Sequence, residues 1–213
     1  MTAEKTDKKK EAILDAAELL FSQFGYEGAS TRLIASEAGV NMAMLSYYFG
    51  SKDGVYKAVI ERRLLSSRQQ LNSINNLSIS SWEKLKVFID SYADKLMTNN
   101  CFHKIVQREL SLKHKNELTD YISDSVYKNA LEIMKIIQDG IDNGSFRKVN
   151  VEMLIATIFG TKYYIVNSTH ISSRLLGKDL QDDRVMQEEV KPQVKEYLYD
   201  LLKTYLTKHE TEV

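Results

Sequence analysis

Cysteine and proline are almost absent from this chain. Its 213 residues include one cysteine, Cys101, and one proline, Pro192. A single cysteine excludes an internal disulfide framework and any zinc site built on cysteine pairs, which suits a reducing cytoplasm. No apolar run approaches the roughly 20 residues of a membrane-spanning helix, and the lysine-rich start lacks the apolar segment of a signal peptide. We therefore expect a cytoplasmic protein without a membrane anchor.

An excess of either charge is also missing. The chain has 29 Lys and Arg against 29 Asp and Glu, which excludes the strongly basic body of a protein that coats DNA without specificity. Any attraction of this chain to DNA must therefore come from local groups of basic residues. Five basic residues lie at or near predicted helix starts, although the first three are equally compatible with a solvated tail: Lys8, Lys9, Lys10, Arg32 and Lys52.

Motifs of the common enzyme classes are absent as well. The sequence has no Gly-rich phosphate loop, no Gly-x-Ser-x-Gly elbow and no His-Glu-x-x-His helix. Its four histidines, His103, His114, His170 and His209, are scattered. Cys101 and His103 could together ligate a metal, but two ligands one residue apart do not make a site by themselves. We predict no catalytic residues, no metal and no cofactor, and keep a metal-responsive regulator and a helical enzyme as alternatives.

Apolar residues recur at helical spacing along most of the chain, and no stretch alternates with the period of a strand. The sequence therefore predicts an all-α fold. Polar stretches at 72–81 and 179–189 predict loops, the second of them mobile. Ser80 and Glu83 have the spacing of a helix capping box. The predicted long helices cover about 8–24, 51–71, 102–112, 118–141, 151–167 and 192–206. The first of them has an apolar stripe that can hold the short helices after it, formed by Ile13, Ala16, Ala17, Leu20, Phe21 and Phe24.

The segment 31–52 predicts two short helices joined by a tight turn. Ser30 or Thr31 can cap the first helix, and Gly39 follows it where a left-handed residue is favoured. Asn41 can cap the second helix, which is too short to be stable alone. A helix-turn-helix of this kind uses its free face to read bases in the major groove. Three residues of the second helix can hold it against neighbours: Leu45, Tyr48 and Phe49.

Several separately constrained positions between residues 25 and 52 agree with one known family in order and spacing. They are Thr31-Arg32, Ile34-Ala35, Ala38-Gly39-Val40, Tyr47-Tyr48-Phe49 and Ser51-Lys52. In these motifs, which span roughly residues 10 to 60, the chain resembles the TetR family of bacterial transcriptional regulators. Ser46 and Gly50 depart from the family's pattern.

The resemblance implies a DNA-binding transcriptional repressor that binds a palindromic operator as a homodimer and is released by a small-molecule effector. A three-helix helix-turn-helix DNA-binding domain would occupy 1–52, with a connecting helix at 51–71. A larger all-helical effector-binding and dimerisation domain would follow at 72–213. A regulator that responds to a protein partner instead of a small molecule is a further alternative.

Residues on the exposed face of the second short helix would meet base edges, and polar neighbours would hold the phosphate backbone. This helix has no Arg or Lys, so we expect apolar contact with thymine methyl groups, helped by Arg32 on a guanine. Tyr48 could instead pack inward. The candidates for base contact are Met42, Ala43, Met44, Ser46 and Tyr47. The candidates for backbone contact are Thr31, Asn41, Tyr47, Tyr48 and Lys52.

The last predicted helix has an apolar stripe wider than one neighbour requires. It predicts a dimer interface, although a buried core helix would look the same from sequence. The stripe consists of Val194, Tyr197, Leu198, Leu201, Leu202 and Tyr205. The resemblance implies that the last two long helices make this contact, which adds Phe159, Tyr163 and Val166.

In such regulators the middle helices enclose an effector pocket. Polar and aromatic groups that interrupt apolar faces could line it, and the many aromatic residues favour a flat or hydrophobic ligand. The candidates are Tyr92, His103, Gln107, Tyr121, Ser125, Phe159 and Tyr163.

Overall fold

A computed structural model describes residues 3–98, 101–111 and 117–207 of the chain. Within these ranges the chain is helical and forms no strand, which confirms the predicted all-α class. None of the described helices combines the length and apolarity needed to cross a membrane. The helices are α1 (Ala3–Gly28), α2 (Thr31–Glu37), α3 (Met42–Phe49), α4 (Lys52–Asn75), α5 (Ser81–Thr98), α6 (Cys101–Leu110), α7 (Glu117–Asp142), α8 (Val151–Asn167), α9 (Thr169–Leu176), α10 (Asp183–Val185) and α11 (Lys191–Leu206), with a π-helical turn at Met186–Val190.

The ends of α2 and α3 follow from local chemistry. The Ser30 hydroxyl accepts a hydrogen bond from the Leu33 amide at 3.1 Å, so Ser30 is the cap of α2. Asn41 caps α3 in the same way through the Met44 amide at 2.9 Å. Between them Gly39 has φ +63°, a conformation that costs glycine little. The turn of the motif is therefore fixed by residues within it.

Helix α1 has a kink at Gly25, where φ is +73°. The kink ends the apolar stripe one residue early: Phe24, predicted to belong to it, is 57% exposed. Tyr26, beyond the kink, stacks on Phe21 instead, with ring centroids 6.0 Å apart. The other residues of the predicted stripe are buried, namely Ile13, Ala16, Ala17, Leu20 and Phe21.

The chain forms two compact units, and the first comprises residues up to Ser67 together with Cys101–Val126. The predicted boundary near residue 72 assigned α6 and all of α7 to the second domain. The structure differs because Ile105, Val106 and Ile122 are buried in the same hydrophobic cluster as the cores of α1 and α4. Helix α6 is therefore part of the unit that contains the helix-turn-helix.

The second unit comprises Arg68–Asn100 and the chain from Tyr127 onwards. Its core is built from α5, α7, α8 and α11, with Leu85, Ile136, Ile158 and Leu202 fully buried. Helix α5 begins with the predicted capping box: the Ser80 hydroxyl accepts from the Glu83 amide at 3.2 Å, and Glu83 Oε2 accepts from the Ser80 amide at 2.9 Å.

The predicted mobile loop at 179–189 is wrong. Leu180, Met186 and Val190 are buried in the core of the second unit and anchor an otherwise polar segment. Asp182 caps the short α10 by accepting from the Arg184 amide at 2.8 Å. Helix α9 was not predicted either. Three widely spaced apolar residues suffice to hold such a segment, but their spacing matches no regular period.

Candidate DNA-binding and effector sites

Helix α3 buries Leu45 completely, packs Tyr48 and Phe49 partly against the core of the first unit, and exposes its opposite face. Leu45 is 1% exposed, whereas Tyr47 is 83% exposed. Met42, Ala43 and Ser46 are also exposed, and Met44 is half-buried. This places the predicted base-reading residues on a face that is open to a ligand.

Tyr48 has features of both roles predicted for it, contact with the DNA backbone and packing into the core. It is half-buried and packs against the core of the first unit. Its ring makes edge contacts with Tyr47 at 5.2 Å and Phe49 at 6.3 Å between centroids. Tyr48 thus supports Tyr47 while part of its own surface stays accessible.

The start of α2 presents further polar groups. Arg32 is exposed in the first turn, and Thr31 is half-buried. The Asn41 side-chain oxygen accepts from the Met44 amide, so its carboxamide N–H groups remain the part that can donate to a phosphate. The Lys9 ammonium of α1 lies 3.7 Å from the Met44 sulfur and brings a positive charge to the same surface.

Lys52 folds back onto α1. Its ammonium lies 4.3 Å from the centroid of the Tyr26 ring and 3.4 Å from the carbonyl oxygen of Glu27. The Tyr26 hydroxyl in turn donates to Asp53 at 2.5 Å. Burial, together with this hydrogen bond to Asp53, raises the pKa of Tyr26 to about 12. A cation–π contact of this kind orders the Lys52 side chain. Lys52 could therefore bind a DNA phosphate only if its side chain changes rotamer or if the phosphate comes close to Tyr26 and Glu27.

An ion cluster that the sequence did not reveal joins α1 to α4. Arg62 contacts Glu11 at 2.9 Å, Asp15 at 2.8 Å and Glu18 at 3.0 Å. Arg63 contacts Glu18 at 2.7 Å, and Glu18 is 2% exposed. The acidic residues repeat along one face of α1, a pattern that a solvated helix would show as well.

A second buried network joins α6 to α4 and α7 within the first unit. Glu109 accepts from the Tyr56 hydroxyl at 3.1 Å and from the Thr119 hydroxyl at 3.1 Å. Burial and the neighbouring Glu109 carboxylate raise the pKa of Tyr56 well above its usual value. Arg108 donates to the Phe21 carbonyl at 3.1 Å. These partners are far apart in sequence, so no spacing pattern could have identified them.

The structure divides the predicted effector residues between the two units. In the second unit the Tyr92 and Phe159 rings lie 5.6 Å apart, and Tyr163 is 47% exposed. The other four belong to the first unit, where Tyr121 is 39% exposed. Of the predicted effector residues, Tyr92 and Phe159 are therefore in direct ring contact within the second unit. The residues placed in the first unit are His103, Gln107, Tyr121 and Ser125.

Four of the predicted dimer residues lie in the core of the chain's own second unit. They are buried and so cannot form an exposed contact surface: Val166 of α8, and Val194, Leu198 and Leu202 of α11. Three others are half-buried against the same core: Phe159, Leu201 and Tyr205. Only Tyr163 at 47% and Tyr197 at 53% are largely exposed.

An apolar groove of about 500 Å³ lies on the surface of the second unit. It is lined by residues of α8, α9, the π-helical turn and α11. Ile171 at 57% exposed and Leu175 at 71% exposed lie on α9, and Tyr164 on α8 is 41% exposed. Leu175, Tyr164 and Tyr197 line the groove itself.

The structure groups no three His, Cys, Asp or Glu side chains as metal ligands among the residues it describes. Cys101 and His103 are both half-buried on α6, and His170 is exposed. His114 and His209 lie outside the described residues.

Two family models match the chain. One, described as bacterial regulatory proteins of the tetR family, matches residues 13–59, and the other, a tetracyclin repressor-like C-terminal domain, matches residues 82–194. The chain belongs to the TetR family. It is therefore a DNA-binding transcriptional regulator and not an enzyme. Regulators of this family typically repress transcription and respond to ligands.

Individual relatives agree with this assignment. YfiR of Bacillus subtilis, an HTH-type transcriptional regulator, is 26% identical over 162 residues, which cover 75% of this chain and 78% of that protein. A putative fatty acid metabolism regulator of Clostridium perfringens is 25% identical with a TM-score of 0.65, covering 87% of this chain and 97% of its own. FadR of Bacillus subtilis, solved in complex with stearoyl-CoA, shares the fold at 22% identity and a TM-score of 0.63, covering 89% and 97%.

Proposed function

We propose that this TetR-family regulator acts in the cytoplasm as a homodimeric repressor, reads a palindromic operator with α3, and is released by a largely apolar or aromatic small molecule. The observation that carries the proposal is the exposed face of α3 opposite its single buried anchor, Leu45. A face of this size on one helix supplies few base contacts. A twofold dimer doubles them and matches the symmetry of a palindrome.

Base reading would depend on shape and apolar contact. Because α3 lacks Arg and Lys, its small and apolar side chains, Ala43 and Met42, suit thymine methyl groups. Arg32 at the start of α2 is exposed and can reach a guanine. Tyr47 is the most exposed aromatic residue of the helix-turn-helix, and its hydroxyl would donate a hydrogen bond to a phosphate. Its ring packs against Tyr48, which restricts the rotamers available to Tyr47.

Homodimerisation would use the exposed apolar surface of the second unit. Tyr163, Tyr164 and Tyr197 on α8 and α11, with Ile171 and Leu175 on α9, are exposed and apolar. Clustered exposed apolar side chains on a folded protein indicate an interaction surface. This assignment keeps the helices implied by the family resemblance but replaces most of the residues first predicted.

The effector would bind in the second unit beside Tyr92 and Phe159. Phe88, Tyr92 and Phe159 form an aromatic cluster with centroid distances of 5.2 and 5.6 Å. Aromatic walls with few polar groups are typical of small-molecule sites. The stearoyl-CoA bound by the similarly folded FadR has a long apolar chain, which is the same broad class of ligand.

DNA fragments selected with the purified protein from random or genomic DNA should share a palindrome. With such a fragment, Tyr47→Ala should weaken binding about tenfold, the effect of losing one hydrogen bond to a charged group. Fluorescence anisotropy at fixed salt measures this change. Tyr127→Ala removes a tyrosine that is 62% exposed on α7 and serves as the matched control.

Equal affinities of the two variants for the selected palindrome would contradict the role of Tyr47. Failure to retard any fragment more strongly than competitor DNA would contradict operator binding as a whole. Both variants should unfold at the temperature of the wild type, since each removes an exposed side chain.

A further inference from the structure

The ammonium group of Lys9 lies beside helix α3 without a strong partner. Its Nζ is 3.7 Å from the Met44 sulfur, and both residues are half-buried. No carboxylate lies within ion-pair distance of Lys9 among the residues that the structure describes. A thioether sulfur is a weak acceptor and an ammonium has three N–H donors, so Lys9 can still donate to a stronger acceptor.

Three other basic side chains of the first unit are held by groups of the chain itself. The Lys52 ammonium lies over the Tyr26 ring. The Arg62 and Arg63 guanidinium groups contact acidic residues of α1. Lys9 has neither a ring nor a carboxylate as a partner in the described part of the chain, so binding an anion breaks no ion pair of Lys9.

Met44 lies on the flank of α3, between its exposed face and its buried face. Successive residues of an α-helix are about 100° apart, and Met44 stands between the exposed Ala43 and the buried Leu45. Tyr47, three residues on, is its neighbour on the same side of the helix. A helix is about 10 to 12 Å across and the major groove about 12 Å wide, so the flanks of a helix in the groove face phosphates. Lys9 lies at such a flank.

We propose that Lys9 of α1 binds a phosphate of the operator backbone on the flank of α3 where Met44 lies. This inference rests on the proposed reading of an operator by α3 and adds a contact from outside the two-helix motif. Because Lys9 is half-buried against α3, ordering its side chain for the contact costs less entropy than ordering a fully exposed lysine. The contact adds affinity without base preference, since every nucleotide carries the same phosphate.

The test uses a palindromic fragment selected with the purified full-length protein. Lys9→Met removes the charge and keeps most of the apolar stem. Its affinity should fall at least about tenfold, the loss expected for one hydrogen bond to a charged group. The slope of log affinity against log salt should become shallower by about 2, because one phosphate contact is lost at each half-site. Fluorescence anisotropy over a series of salt concentrations measures both effects.

Lys104→Met is the matched control. Lys104 is exposed on α6 in the same unit, and its replacement removes the same charge. This variant should keep the wild-type affinity and salt slope, and so should Lys9→Arg, which retains a cation. All three should melt at the wild-type temperature, because neither lysine belongs to a buried cluster. Equal losses in Lys9→Met and Lys104→Met would mean that Lys9 acts only through net charge, which contradicts the proposal.

Methylphosphonate linkages in the fragment identify the phosphate. Each linkage replaces one charged oxygen of the DNA backbone by an uncharged methyl group. At the phosphate that Lys9 binds, this change should weaken binding of the wild type but hardly affect Lys9→Met, since contacting groups show non-additive effects. At every other phosphate the two proteins should lose affinity by the same factor. The same factor at all positions would overturn the assignment.

Base preference separates a phosphate contact from a base contact. Lys9→Met should bind single-base variants of the fragment in the wild-type order, and a changed preference at one base pair would also overturn the assignment. An affinity of Lys9→Met equal to that of the wild type refutes this inference alone. Failure of the proposed operator binding looks different: the wild type then retards no fragment more strongly than competitor DNA, and both proposals fail.

Discussion

At the scale of residues, helix α3 uses different side chains for packing against its own unit and for the proposed contact with DNA. Leu45 is buried and holds α3, while its neighbours Met42, Ser46 and Tyr47 are exposed. Asn41 does both, since its oxygen caps the helix and its N–H groups stay available. Substitutions at exposed positions should therefore change DNA binding without changing stability.

Arg32→Ala should relax the preference for one base pair of each half-site. A well-placed arginine–guanine contact contributes about 1 to 3 kcal/mol of discrimination. Selection from DNA randomised at each operator position measures the effect. The same affinity loss at every position would instead identify Arg32 as a phosphate ligand, for which the salt dependence of binding should also become shallower.

At the scale of elements, two kinds of contact hold helices together. Buried apolar side chains supply most of the stability, while charged groups join particular pairs of helices. Arg62 and Arg63 join α4 to the acidic face of α1, and Lys191 and Lys195 join α11 to Asp90 and Asp94 of α5. The pairs of Asp90 and Asp94 are partly exposed and contribute little individually, but they make the stability depend on pH.

Asp94→Asn should lower stability near neutral pH and have no effect in acid. Burial of Asp94 would raise its pKa, but the hydrogen bonds and charges of Lys195 and Lys191 outweigh this and lower it. A carboxylate with a lowered pKa stabilises the fold above the ordinary aspartate pKa of about 4 and loses that contribution as the pH falls through its folded value.

Denaturant unfolding of both proteins between pH 7 and pH 3 tests this expectation. The difference in the free energy of unfolding should be constant at first and then shrink below about pH 4. Asp124→Asn, at an exposed aspartate of α7, is the control. A difference that persists unchanged at the lowest pH would mean that Asp94 acts through packing or helix propensity.

At the scale of the whole molecule, the proposed function requires a second copy of the chain. The formal net charge is zero, so the chain as a whole is not attracted to DNA, and two helix-turn-helix motifs on one operator would double the local contacts. The apolar surface of α8, α9 and α11 is the part of the second unit that we propose for pairing, because its tyrosines and leucine are exposed in the described residues.

Leu175→Glu should give folded monomers that no longer retard a full palindrome. Leu175 is 71% exposed, so its replacement leaves the subunit core intact but places a charge in the proposed interface. Leu201 is less suitable because it is half-buried against that core. Sedimentation velocity and gel retardation measure the two effects. Leu65→Glu, at a leucine that is 59% exposed on α4, is the control, and dimers of Leu175→Glu would refute the interface.

Elements whose signals are local could be predicted from the sequence. The caps Ser30 and Asn41, the left-handed Gly39 and the apolar period of the long helices each depend on residues within one or two turns, so the helix-turn-helix and the all-α class could be predicted. Family resemblance gave the function from the same few motifs.

Which surface each helix buries depends on tertiary packing and could not be predicted. The stripe of α11 is the same in sequence whether it faces a partner or its own core, and contacts with α5 placed Leu198 and Leu202 inside. The same holds for Glu109 beside Tyr56. Burial and pairing depend on residues distant along the chain, and a periodic pattern contains no information about which distant residues meet.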